Sequence, residues 1–155
     1  MIELIHDIAT RIREGVPSLK TVDNPSIYMY ALENKGPITP LLPACWITAG
    51  GGKPIANAQS GDKLRDFLPF TEEQDYELWL MLPHELDEAN HTLTDQNASP
   101  LLSRIITLLH GWKPDSNRYH RKLLYAGRDT PDYTGDYAVY PLTFTARRNV
   151  TDAEA

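Results

Sequence analysis

The run Tyr76-Glu77-Leu78-Trp79-Leu80-Met81-Leu82 decides the fold. A strand's side chains alternate, so Tyr76, Leu78, Leu80 and Leu82 share one face while Glu77, Trp79 and Met81 share the other. Both faces are largely apolar. Both therefore need cover, by helices on one side and by a partner on the other.

Working downstream, Pro83–Asn97 is polar and acidic and reads as a long loop or a continuation of the strand. The next element is a helix with clear punctuation. Ser99 suits the N-cap, Pro100 the first helical position and Gly111 the stop. Between them Leu101, Leu102, Ile105, Ile106, Leu108 and Leu109 demand burial. Arg118–Ala126 and Tyr137–Ala146 read as two strands joined through Gly127–Gly135, whose Pro131, Asp132 and Gly135 suit a hairpin connection. Pro141 cannot donate to a ladder and places its strand at an edge or a bulge.

Working upstream, Ala44–Ala49 reads as a strand that ends at Gly50-Gly51-Gly52, with a mobile excursion over Gly50–Gly61. Residues 16–42 are broken by Pro17, Pro25, Pro37 and Pro40 and read as a packed connection. Ile2, Leu4, Ile5, Ile8 and Ile12 recur at helical spacing before the stop signals Gly15 and Pro17, so an amphipathic helix opens the chain. The sum is an α+β fold: an antiparallel or mixed β-sheet of about four strands with helices packed on one face. Residues 1–148 form a single domain, and a frayed tail is expected from Asn149.

The bulk composition agrees. The 155 residues are 41% hydrophobic and 23% charged, which is ordinary globular usage. Cys45 is the single cysteine; with no second thiol it reads as a small buried hydrophobe in a reducing compartment. Glu3, His6 and Asp7 interrupt any signal-peptide core, and no apolar run approaches the ~18 residues of a membrane span. The expectation is a cytoplasmic protein without membrane contact. A net charge of −6 disfavours non-specific nucleic-acid binding.

That charge is unevenly distributed. From Asp66 to Ser103 there is no Lys or Arg, while Asp66, Glu72, Glu73, Asp75, Glu77, Glu85, Asp87, Glu88 and Asp95 carry acid. From Arg104 to Arg128 the sign reverses, with Arg104, Lys113, Arg118, Arg121, Lys122 and Arg128 against Asp115 alone. Two solvated faces would explain this pattern. So would complementary patches for head-to-tail contact between identical subunits.

Catalytic signatures fail on inspection. A Walker A loop ending at Lys53 would need Gly where Ile47 stands and Ser or Thr where Pro54 stands. His84-Glu85 lacks the second histidine one helical turn on, where Glu88 sits; His91 comes too late. No G-x-S-x-G elbow is present, and Cys45 has no activating base nearby in sequence. The expectation is a non-enzyme with no cofactor, no metal and no catalytic residues. Trp46, Trp79, Tyr125, Tyr133, Tyr137, Tyr140 and Phe144 collect on the strands and their ends, where they serve the core or anchor an interface.

Five features together resemble the tail-terminator (tail-completion) proteins of long-tailed bacteriophages and prophages. They are the opening helix, Leu42-Pro43-Ala44-Cys45-Trp46-Ile47, the Tyr76–Leu82 strand, Leu109-His110-Gly111-Trp112-Lys113-Pro114, and Tyr140-Pro141-Leu142-Thr143-Phe144-Thr145. The Leu-x-Gly-Trp-x-Pro pattern followed by Leu123-Leu124-Tyr125 is the most specific. The resemblance implies a homo-oligomer, usually a hexameric ring, that sits on the end of the tail tube, stops polymerisation and offers a surface for head joining. Its implied partners are the tail tube protein and head-tail connector proteins, and its implied place is the host cytoplasm during assembly and then the virion tail. The candidate subunit-interface residues are Glu72, Glu73, Asp75 and Glu77 against Arg118, Arg121, Lys122 and Arg128. Another neck, head-completion or contractile-injection subunit is the first alternative; a small metal-dependent enzyme built on the acidic loop is the second.

Overall fold

The computed structural model describes residues 2–26, 39–55, 70–84, 93–114 and 120–150. Helix α1 (Ile2–Gly15) is followed by β1 (Thr21–Asp23), a short 3-10 turn (Thr39–Leu41), β2 (Ala44–Pro54), β3 (Phe70–Pro83), α2 (Thr94–Leu109), β4 (Leu124–Arg128), β5 (Asp132–Tyr133) and β6 (Tyr137–Val150). The six strands form a mixed sheet in the order β1-β2-β3-β6-β4, with β5 pairing β6 off this path. Among the described strands only β1–β2 is parallel. The α+β class is as expected. The strand number exceeds the expected four because β1 and β5 are too short to show any alternation.

The β3–β6 pair is the spine of the sheet, in register from Phe70↔Val150 to Pro83↔Tyr137. On the helix side Tyr76, Leu78, Leu80 and Leu82 oppose Phe144, Leu142, Tyr140 and Ala138. This row joins Leu4, Ile8 and Ile12 of α1 and Leu102, Ile105 and Leu109 of α2 in one core. On the opposite face Trp46, Ala44, Leu42 and Met81 make a second cluster, backed by Trp79, Tyr137 and Val139. Because Trp46 and Met81 are buried within the single chain, that half of the outer face needs no partner.

Several boundaries depart from the sequence reading for physical reasons. The glycine run is strand, not loop: β2 continues to Pro54, with a register shift between Ala49 and Gly52. Gln74, only 2% exposed, donates its side-chain amide to the Gly50 and Asp75 carbonyls at 2.9 Å each. That amide occupies acceptors left by the bulge. A Cβ on Gly52 would lie 2.8 Å from Glu72 Oε1, so a side chain there would displace the Glu72 carboxylate. Residues 56–61 of the expected excursion lie outside the described residues.

Helix α2 starts at Thr94 rather than Ser99, and Pro100 lies inside it. Thr94, Ala98, Leu102, Ile105 and Leu109 form a continuous buried face, whose burial offsets the ~3 kcal/mol cost of an interior proline. Gly111 does close the helix, at φ 79°. The strand expected over Arg118–Ala126 is Leu124–Arg128, preceded by an isolated bridge, His120↔Arg148. Asn149 and Val150 pair with Thr71 and Phe70, so strand replaces the tail expected from Asn149; residues 151–155 lie outside the described set.

Pro141 sits in an interior strand, not an edge one. It faces Trp79 on β3, while outer pairing is interrupted between Arg128↔Leu142 and Asp132↔Val139. Its missing N–H therefore costs no ladder bond on the outer side.

Candidate interaction surface

Alternation along β3 and β6 sorts the predicted acidic residues onto two faces. Glu72 lies on the helix side, where its Oε1 accepts from Arg148 Nε at 3.1 Å. Glu73, Asp75 and Glu77 lie on the outer face. Glu73 is flanked across the sheet by Lys53 and Arg147, opposite-charge neighbours in register within one subunit. Asp75 and Glu77 face Thr145 and Thr143 on β6. Among the described acids of β3, these two have no cation in register on either neighbouring strand.

The basic set is also divided. Arg121 and Lys122 are exposed and line one groove with Glu73, Leu124, Thr145 and Arg147. Leu124 is 50% exposed there, an apolar side chain ringed by three cations and one acid. Arg128 lies on the other side of the sheet, in register with Leu142, and lines a separate cavity beside α2. Arg118, Asp66, Glu85, Asp87 and Glu88 lie outside the described residues. Arg147 carries no sequence signal that marks it, since only the fold brings it beside Arg121.

Local side-chain and turn contacts engage part of each outer strand. An open edge is a template for another strand. At β1, which is only three residues long, the Val22 carbonyl accepts from Arg13 at 2.5 Å. At β4, Tyr125 N–H donates to His110 Nδ1 at 3.0 Å. Just before it, Leu123 accepts from Gly111 at 2.7 Å and donates to the Trp112 carbonyl at 2.9 Å. The Gly111-Trp112 turn thus holds the residue that leads into β4, and Trp112 is pinned by the Arg11 guanidinium 4.9 Å above its ring.

Three further groups have defined chemistry. Burial pushes the Cys45 thiol up to about 12, so it stays protonated and is no nucleophile. His120 is 2% exposed, and its Nε2 lies 3.1 Å from Tyr76 Oη. Burial, aided by nearby positive charges including Arg148 and Lys113, lowers its pKa to about 4. Asp95, at the start of α2, accepts the hydroxyls of both Tyr133 and Tyr140 on Oδ1, and these bonds hold its carboxyl below the usual range. No group of three or more potential metal ligands occurs among the described residues. No helix among them is long and apolar enough to cross a membrane.

The fold and its charged outer face define an α+β protein whose polar chemistry is arranged on surfaces. The chain belongs to the phage tail terminator protein family, whose model matches residues 5–153. Membership makes it a structural component of the phage tail. No curated protein matches the chain.

Proposed function

We propose that this chain closes into a hexameric ring on the head-proximal end of the tail tube, halts tube polymerisation and presents the surface on which the head docks. The reading rests first on family membership over residues 5–153. The observation that carries the ring is the outer face, where Asp75 and Glu77 stand opposite threonines and Arg121 and Lys122 rim an exposed Leu124.

In a head-to-tail ring, Asp75 and Glu77 of one copy meet Arg121 and Lys122 of the next. Leu124 supplies the apolar contact at the centre of that junction. The mechanism is steric: one ring face fits the tube subunit, and the other accepts no further tube layer. No bond is made or broken.

Exposed ion pairs are worth only about 0–1 kcal/mol each, so their role is register and association rate. Screening tightens from ~10 Å at 0.1 M salt to ~3 Å at 1 M. Sedimentation over a concentration series at low and molar salt tests the reading. The expected result is a discrete hexamer at low salt that weakens at high salt while the fold persists. An oligomer indifferent to salt would remove the electrostatic junction, and a monomer at every concentration, including with tube protein present, would remove the ring.

A further inference from the structure

Where β4 has ended and β5 has yet to begin, a cavity of about 450 Å³ opens between the sheet and α2. Its volume falls within the ~300–1,000 Å³ typical of small-ligand sites. Asp95, Leu102, Arg128, Asp129, Tyr133 and Tyr140 are among its lining residues.

We propose that this cavity receives an arginine side chain of a partner protein. Four observations converge on that chemistry. First, Asp95 carries a fixed negative charge: Oδ1 accepts Tyr133 Oη at 2.8 Å and Tyr140 Oη at 2.5 Å. Oδ2 receives neither hydroxyl. The carboxylate thus has acceptor capacity in reserve for N–H donors.

Second, the tyrosine rings are held in place. Tyr133 meets Tyr140 edge-on at 6.5 Å and stacks on His84 at 6.2 Å and 20°. His84 is itself anchored, with Nε2–H donating to the Thr134 carbonyl at 2.5 Å and Nδ1 lying 3.3 Å from Thr94 Oγ1. Even so, Tyr133 is 49% exposed, so a planar cation can lie against a ring that has already lost its rotational freedom. Third, Ala98, Leu102, Pro141 and Leu142 give the cavity an apolar wall that suits an aliphatic stem. Fourth, Asp95 and Asp129 outweigh Arg128 by one charge, which favours a cation and opposes an acidic ligand.

A guanidinium fits better than an ammonium. Its flat fork can bond a carboxylate and stack on an aromatic ring together. A metal ion is the poorer match, since no group of three potential ligands converges among the described residues.

The probe is N-acetylarginine methylamide, titrated into the full-length protein while the Tyr133 and Tyr140 ring and Asp95 amide resonances are followed by NMR. Saturable shifts are expected, with a Kd on the order of millimolar for so small a ligand. The neutral citrulline counterpart should bind at least about tenfold more weakly, and the lysine counterpart should fall between. Asp95→Asn keeps an oxygen for both tyrosine hydroxyls and should lose the response. Tyr133→Leu, at an exposed ring, should erase the preference for arginine over lysine. Absence of saturable shifts, equal response to citrulline, or full binding by folded Asp95→Asn would each overturn the proposal. The titration needs no assembled ring, so its failure leaves the ring reading intact, and the reverse also holds.

Discussion

Acid should loosen this protein through one buried histidine. His120 has a folded-state pKa of about 4, against an unfolded value of about 6.5. Between those limits the unfolded chain binds a proton that the folded chain refuses, so stability must fall as pH falls. The loss begins below about pH 6.5 and is complete near pH 4. By pH 5 the linkage amounts to about 2 kcal/mol relative to neutral pH, and about 1–2 kcal/mol after allowance for screening. Urea unfolding at pH 7.5 and pH 5 measures it directly. His120→Gln offers hydrogen-bonding atoms toward Tyr76 without titrating, so the carboxylates contribute equally in both proteins and cancel in the comparison. The wild type should lose about 1–2 kcal/mol more than the variant across that interval. Equal pH dependence in the two proteins would refute the assignment of a neutral, buried His120.

Other substitutions probe the packing and the junction. Phe144→Ala removes a fully buried ring opposite Tyr76 and should cost about 3–5 kcal/mol by urea unfolding. Gln74→Leu leaves the Gly50 and Asp75 carbonyls without their amide donor and should cost about 1–3 kcal/mol; a neutral outcome would mean that water serves the bulge equally well. Asp75→Lys with Glu77→Lys should abolish the oligomer while circular dichroism stays unchanged, and Arg121→Glu with Lys122→Glu should do the same. Mixing the two reversed proteins should restore alternating contacts, and failure of the mixture to assemble would count against pairing between these groups.

The alternation of Tyr76–Leu82 and the helical spacing of Leu4, Ile8 and Ile12 were legible because each follows from local periodicity. Together they sufficed for the α+β class. Local rules failed where tertiary contacts outweighed propensity. Gly50–Gly52 reads as a loop on its own, yet the Gln74 amide and the pairing of Gly52, Lys53 and Pro54 with β3 make it a bulged strand. Pro100 reads as a helix start, yet burial of Thr94 and Ala98 carries the helix past it.

Charge was legible as a run and misleading as a surface. A strand sends neighbours to opposite faces, which separates Glu72 from Glu73, Asp75 and Glu77. Arg128 is likewise divided from Arg121 and Lys122 by the register of β4 on β6. The Asp95 cluster carried no signal at all, since its tyrosines lie 38 and 45 residues away in sequence.

The central claim is that this chain caps a tube. Purified tail tube protein should be polymerised with and without the chain, and tube lengths and ends measured by electron microscopy. The account predicts shorter tubes, each bearing a ring at one end and no longer extended by fresh tube protein. Tubes of unchanged length, with bare ends that continue to grow, would contradict it.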